Sequence, residues 1–142
     1  MEISSETKFR VEFYDVDSME VAWHGNYIKY MEVGRCALLD KIGYGYNEMK
    51  ATGYVFPVTT LNVKYVRSLF FGKEYIIKSK LVEYENRLKI KYEIRDAVTN
   101  EICTKAESCQ MAVKTPEMTS LFVCPAVFTD KVEKMLGGEK LD

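Results

Sequence analysis

The sequence has too few cysteine and histidine residues to build a zinc site or a disulfide framework. Its four cysteines, Cys36, Cys103, Cys109 and Cys124, form no Cys-x-x-Cys pair, and His24 is the only histidine. Scattered thiols of this kind predict reduced cysteines in a reducing compartment, and we therefore expect a cytoplasmic protein. We expect no metal and no cofactor, and a cysteine nucleophile would have only His24 as its base.

Long apolar runs and an excess of charge of either sign are also absent. No stretch approaches the roughly 18 apolar residues of a membrane span, and the first residues lack the apolar core of a signal peptide. The 20 basic residues nearly balance the 21 acidic residues. We therefore expect neither nucleic acid nor a membrane as a partner, and any basic site must be local.

The chain does contain enough apolar side chain for one hydrophobic core. Hydrophobic residues make up 47% of the 142 residues, and no repeat, low-complexity tract or flexible linker divides the sequence. A chain of this size and composition is typical of one domain, and we expect that domain to cover residues 1–142.

The polarity pattern predicts one long helix between a first strand and four later strands. Residues 8–14 alternate in polarity as a half-buried strand does, and the apolar spacings of three and four over residues 26–42 are typical of a helix. Gly34 inside this helix predicts close contact with a neighbouring backbone, and the mostly apolar faces predict that the helix is enclosed. The remaining segments are a short helical turn over 46–51, strands over 60–67, 74–84, 87–96 and 101–114, and a terminal helix over 126–136.

The connections between the four later strands are short and turn-like, which predicts antiparallel pairing of consecutive strands. A strand, a long helix and a four-stranded meander within one domain predict an α+β fold. We expect an antiparallel five-stranded sheet wrapped around one long central helix.

The loop between the first strand and the long helix concentrates the unusual side chains. Residues 13–27 include three carboxylates, the only tryptophan and the only histidine. A helix start presents unpaired N–H groups and partial positive charge, which can hold a carbonyl oxygen as an oxyanion. A carboxylate beside that helix start can act as a nucleophile or activate a water. Both parts of acyl-transfer catalysis therefore lie in one loop.

The same loop resembles the active-site signature of the 4-hydroxybenzoyl-CoA thioesterase and YbgC-like family, and the element order resembles that family over nearly the whole chain. The resemblance implies a hotdog fold and hydrolysis of an acyl-CoA thioester to free acid and CoA. The residues that carry it are Tyr14-Asp15-Val16-Asp17, then Trp23-His24-Gly25-Asn26-Tyr27, then Glu32 and Arg35 on the helix.

The resemblance also implies roles for individual residues. Asp17 corresponds to the catalytic aspartate, which attacks the thioester carbonyl or activates water. His24 corresponds to the helix-start residue whose backbone N–H faces the thioester oxygen. Family members usually have glycine where this chain has Met19-Glu20, and this departure bears on the shape of the pocket. The residues expected to help bind substrate in this loop are Trp23, Gly25, Asn26 and Tyr27.

Several of these residues also have ordinary structural explanations. Asp15 is expected to be a turn or cap residue, because aspartate in a loop commonly bonds to nearby backbone. Trp23 could serve mainly for packing. Glu32 and Arg35, three residues apart on a helix, could form only a local ion pair.

The phosphates of CoA require cations near the mouth of the site. The candidates are Lys64 and Arg67 on one predicted strand and Arg87 and Lys89 on another, although basic residues on alternating strands are often only a solvated face. Two alternatives remain open. The acyl group could be carried by an acyl carrier protein, which a Lys/Arg patch around the mouth would favour, or the chain could bind acyl-CoA without catalysis.

Exposed sheet edges predict association with further copies of the chain. One sheet over one helix leaves edge strands unpaired, and joining two subunits removes a pair of edges. The resemblance likewise implies subunits whose sheets join edge to edge, with residues from both chains at the site. We therefore expect a homodimer or a homotetramer.

Overall fold

A five-stranded antiparallel sheet packed against one 16-residue helix forms the body of the protein in a computed structural model that describes residues 1–142. The sheet order is β1-β4-β5-β6-β3, and β2, β7 and β8 form a second sheet of three short strands. The predicted α+β class, the sheet and the long helix are confirmed. In chain order the elements are β1 (Ser4–Arg10), α1 (Tyr27–Ile42), α2 (Tyr46–Thr52), β2 (Tyr54–Val55), β3 (Val58–Tyr65), β4 (Glu74–Glu83), β5 (Leu88–Asp96), β6 (Ile102–Gln110), β7 (Val113–Lys114), β8 (Thr119–Ser120) and α3 (Ala126–Leu136).

The ends of the first and last predicted strands are wrong. The first strand is β1, which ends at Arg10, and residues Phe13–Asp15 form a 3-10 turn. Phe13 lies in this turn and is 77% exposed. The alternation in polarity therefore extends past the end of the strand, into residues that are not buried. The last predicted strand, over 101–114, is divided into β6 and β7, which belong to different sheets.

Helix α1 is covered on one side only, so the prediction of an enclosed helix is wrong for the single chain. It packs mainly against β1 and β4, while Ile28 and Val33 on the other side are exposed. Gly43, in the left-handed conformation, ends the helix. No helix in the protein has the length and apolar character needed to cross a membrane.

Gly34 marks the closest approach between α1 and the sheet. A Cβ atom at this position would lie 2.4 Å from the Oγ atom of Ser79 and 3.2 Å from Cδ1 of Ile77. The predicted close contact is therefore present, but the neighbours are side chains on β4 and not backbone. Only glycine allows the helix axis to come this near to the sheet.

The inner face of the sheet is uncovered beyond the reach of α1. On β3, Leu61 and Tyr65 pair with Ser108 and Thr104 of β6, so they share the inner face of the sheet. They are nevertheless 40% and 50% exposed, because α1 lies over β1 and β4 at the other side of the sheet. Strand β3 is also an edge strand. The part of the sheet that α1 leaves uncovered therefore has exposed apolar side chains and ends at an unpaired strand edge.

Candidate active site

The Asp17 side chain sits at the start of a tight turn that precedes α1. The Asp17 N–H donates to the carbonyl of Val21 at 3.0 Å, and the Glu20 N–H donates to the carbonyl of Asp17 at 3.0 Å. The Oδ1 atom of Asp17 accepts from the Met19 N–H at 2.9 Å. The turn thereby orients the carboxylate, and its Oδ2 atom accepts no hydrogen bond from the protein.

Glu20 has a backbone conformation that favours glycine, near the position where the resemblance implies a glycine. Its φ angle is 63°, in the left-handed region that glycine adopts at little cost. The turn around Asp17 is formed even though a non-glycine residue occupies this position. The departure at Met19-Glu20 therefore does not prevent the loop from reaching this conformation.

Asp17 and His24 line the same cleft, which has a volume of about 340 Å³. Two further predicted site residues, Tyr27 and Arg67, contribute to its walls. The structure thus brings together the carboxylate, the residue at the helix start and one predicted cation. The other residues of the lining are Val21, Ala22, Tyr65, Val66 and Ser68.

His24 begins a 3-10 turn, His24–Asn26, that runs directly into α1. The helix therefore starts at Tyr27, and the N–H of His24, as the first residue of the turn, has no acceptor within it. The Tyr65 hydroxyl donates to the His24 carbonyl at 3.1 Å and holds this end of the turn against β3. The first amide of the helical segment is accordingly next to the cleft that contains Asp17.

Three residues predicted to bind substrate lie outside the cleft lining in the single chain, and they shape the loop. The side-chain amide of Asn26 donates to the carbonyl of Asp15 at 2.7 Å, so Asn26 does not cap the helix with its side chain. The Trp23 ring is 53% exposed and lies 4.8 Å from the His24 ring, centroid to centroid. It also covers Gly25, where a Cβ atom would lie 2.0 Å from the ring.

Asp15 is a turn residue, as its position predicts, and it also links the loop to α1. Its buried carboxylate accepts from the Glu12 N–H at 3.0 Å and contacts the ammonium group of Lys29. Burial alone would raise the pKa of Asp15, but the hydrogen bonds from Lys29 and the Glu12 amide outweigh burial and lower it. Asp15 is therefore ionised and structural, whereas Asp17 is the carboxylate in the cleft.

The remaining predicted CoA contacts are not brought to this cleft within one chain. Lys64 lies on the opposite, outer face of the sheet. Arg87 and Lys89 form ion pairs with Glu83 at 2.9 Å and Glu107 at 3.3 Å. They lie at the N-terminal end of β5. The cleft is next to the start of β6, which pairs with the C-terminal end of β5, so these two cations are far from it.

Arg67 is the one predicted cation at the cleft, and its Nε atom lies 3.5 Å from a carboxylate oxygen of Glu101. Sequence reasoning missed five lining residues as parts of the site, namely Val21, Ala22, Tyr65, Val66 and Ser68. Tyr65 lies within the strand predicted over 60–67. Its hydrogen bond to His24 joins residues 41 positions apart, and local periodicity contains no signal for such a contact.

Comparison with known proteins identifies the class to which this fold and cleft belong. Residues 11–129 match the model of the Thioesterase-like superfamily. The chain belongs to this superfamily, which confirms the predicted relationship to the hotdog-fold thioesterases.

One solved structure and two curated relatives illustrate the similarity. The DHNA-CoA thioesterase of Staphylococcus aureus superposes with a TM-score of 0.84 at 27% identity, covering 96% of this chain and 94% of that one. YneP of Bacillus subtilis, provisionally named an acyl-CoA thioesterase, is 31% identical over 80 residues, which are 56% of this chain and 58% of YneP. The chloroplastic acyl-acyl carrier protein thioesterase ATL2 of Arabidopsis thaliana is 26% identical over 76 residues, 54% of this chain and 40% of ATL2. The match thus spans about half the length of these two relatives.

Proposed function

We propose that the protein hydrolyses acyl-CoA thioesters to a free acid and CoA. The observation that carries the proposal is that the Asp17 carboxylate and the His24 residue at the helix start line one cleft. The family and the similarity to YneP and to the Staphylococcus aureus enzyme support the same reaction. We further propose a cytoplasmic location, which the four unpaired cysteine thiols support.

The reaction needs a nucleophile on one side of the thioester carbonyl and hydrogen-bond donors on the other. The carbonyl oxygen accepts from the His24 N–H, so that negative charge developing on the oxygen is stabilised by the helix start. The free Oδ2 atom of Asp17 either attacks the carbonyl carbon or removes a proton from an attacking water. In both routes the carbon–sulfur bond breaks and the thiolate of CoA takes up a proton. Where Asp17 attacks, water then hydrolyses the acyl-aspartyl anhydride, which releases the acid and restores the carboxylate.

The test is replacement of Asp17 by asparagine, which keeps the size of the side chain but removes its charge. We expect kcat for a good acyl-CoA substrate to fall at least about 100-fold, since general-base and nucleophilic groups contribute on that scale. Asp130→Asn, at an exposed position on α3, is the matched control and should retain wild-type activity. Wild-type turnover by Asp17→Asn would remove this carboxylate from the mechanism.

We also propose that the active form is at least a dimer formed through β3. The open edge of this strand and the exposed Leu61 and Tyr65 on its inner side support an interface there. Leu61→Glu should shift the protein toward a monomer in sedimentation velocity at micromolar concentration. A wild-type protein that sediments as a monomer under the same conditions would contradict this proposal.

A second candidate substrate is the same acyl group on an acyl carrier protein. The similarity to ATL2 favours it, and so does a lysine-rich surface on the outer side of the sheet. Both substrates present the acyl group as a thioester, so the same cleft would serve either of them.

A further inference from the structure

A depression of about 630 Å³ lies on the outer face of the main sheet. It is on the side of the sheet opposite to α1 and does not include Asp17 or His24. We call this surface the lysine face and define it by the five lysines that line the depression together with Glu2, Glu93 and Glu107. The lysines are Lys64 on β3, Lys78 and Lys80 on β4, Lys91 on β5 and Lys105 on β6.

The three glutamates of the lysine face neutralise only part of the charge of its five lysines. Glu93 forms its ion pair with Arg95 at 2.9 Å, and Glu107 pairs with Lys89 at 3.3 Å, and both of these cations lie outside the depression. Glu2 is shared between two lysines of the face. The lysines without a carboxylate at salt-bridge distance are Lys64, Lys91 and Lys105.

The register of the sheet also places lysines directly opposite one another. Lys64 on β3 faces Lys105 on β6, and Lys80 on β4 faces Lys91 on β5. The same register also places Glu93 opposite Lys78 and Lys105, and Glu107 opposite Lys91. Like charges at directly opposite positions of an antiparallel pair destabilise the sheet. The chain as a whole is close to neutral, with a net charge of −1. Five lysines against three glutamates therefore leave an excess of positive charge on this face, which a negatively charged partner would complement.

The lysine face and the cleft are neighbours at the β3 side of the molecule. Lys64 precedes Arg67, a residue of the cleft lining, by three positions, which is about 10 Å of extended chain. A partner bound to the lysine face would thus be close enough to deliver a group on a flexible arm to Asp17. A second copy of this face is not a suitable partner, because two surfaces of the same charge repel each other.

We propose that the lysine face docks an acidic acyl carrier protein, whose thioester then enters the Asp17 cleft. This inference rests on the proposed thioester hydrolysis. The lysines extend over four adjacent strands, a width of about 14 Å, which suits a protein surface better than a single phosphate group. Lysine ammonium groups are point charges that steer an acidic surface, whereas bidentate phosphate recognition favours arginine. The similarity to ATL2 agrees with this choice of partner.

The test compares one acyl group on two carriers, an acidic acyl carrier protein and CoA. In the double variant Lys91→Gln/Lys105→Gln, we expect kcat/KM for the acyl carrier substrate to fall at least about fivefold at low salt, through KM. The kcat/KM for the CoA ester should stay within about twofold of wild type. The matched control is Lys50→Gln/Lys134→Gln, which removes the same charge from exposed positions on α2 and α3. Thermal melts of both variants confirm that they are folded.

Direct binding separates failure of the docking inference from failure of the proposed hydrolysis. Fluorescence anisotropy of a labelled, non-hydrolysable acyl carrier protein should show salt-sensitive binding that the control retains and Lys91→Gln/Lys105→Gln weakens. Binding of this kind by a protein that cleaves neither substrate would support the docking and refute the hydrolysis. The docking inference would be overturned if the protein cleaves the CoA ester but neither binds nor cleaves the acyl carrier substrate. An equal loss of kcat/KM for both substrates, or equal effects of the two double variants, would also overturn it.

Discussion

The ammonium group of Lys29, in the first turn of α1, contacts the buried carboxylate of Asp15 in the preceding loop. The backbone carbonyl of Asp15 meanwhile accepts from the Asn26 side chain at 2.7 Å and from the Trp23 N–H at 3.0 Å. The side chain and the backbone carbonyl of Asp15 therefore both hold the loop against the start of α1. Because Asp17 follows two residues later, this contact helps set the position of the proposed catalytic carboxylate relative to the amide of His24.

Removing the Lys29 charge should loosen this arrangement. In Lys29→Met the Asp15 carboxylate stays buried without its cationic partner, which should lower the free energy of unfolding by about 1–3 kcal/mol in urea denaturation. The kcat should fall more than KM changes, since the reacting groups lose their alignment while the rest of the cleft persists. Lys29→Arg should recover most of the loss, and Lys50→Met is the exposed control. An unfolding midpoint equal to wild type in Lys29→Met would contradict this account.

The contact between Gly34 and Ser79 makes a second prediction, for the packing of α1. Gly34→Ala places a methyl group 2.4 Å from Ser79 Oγ, and this overpacking should cost about 1–3 kcal/mol of unfolding free energy. Ser79 Oγ is buried and has no hydrogen-bond partner, so Ser79→Ala alone should be nearly neutral. The double variant should therefore recover part of the stability that Gly34→Ala loses. Additive effects in a double-mutant cycle would show that the two positions do not interact.

Asp96 predicts how stability depends on pH. Hydrogen bonds from Lys73 and from the amides of Val98 and Thr99 lower the pKa of Asp96 from 3.8 to about 2. A carboxyl group with a lowered pKa in the folded state adds stability above its unfolded pKa, and this stability is lost as pH falls through the folded pKa. The Tm gap between wild type and Asp96→Asn should thus be constant above about pH 5 and should narrow between about pH 4 and pH 2. A gap that widens on acidification would rule this out.

The sequence was sufficient to predict what lies within one loop but not what the sheet brings together. Asp17 and His24 are seven residues apart, and the strand-to-helix connection alone places both near the helix start. Arg87 and Lys89 were identified from alternation, which predicts the face of a strand that a residue occupies. It does not predict which end of that strand adjoins the cleft, because this depends on the register between β5 and β6.

The uncovered side of α1 has a related cause. Its apolar residues predicted an enclosed helix, whereas Ile28 and Val33 are exposed in the single chain. An apolar pattern indicates which residues are buried from water. It does not distinguish burial within one chain from burial against a second chain. The inner residues of β3 have the same ambiguity. The exposed inner residues of β3 lie on the surface that we propose as the subunit interface.

The ring of Trp23 packs over Gly25, and tryptophan fluorescence can measure whether a substitution at Gly25 displaces it. A Cβ atom at this position would lie 2.0 Å from Cζ3 of Trp23, so Gly25→Ala must displace the indole ring from its place beside His24. Because Trp23 is the only tryptophan, its fluorescence emission should shift to longer wavelength as the ring moves further into water. Since the ring is already 53% exposed, the stability loss should stay below about 1 kcal/mol. Gly53→Ala, where no atom lies within 4 Å, is a control for the ring contact and should leave the emission unchanged. An unchanged emission maximum in Gly25→Ala would contradict the predicted displacement.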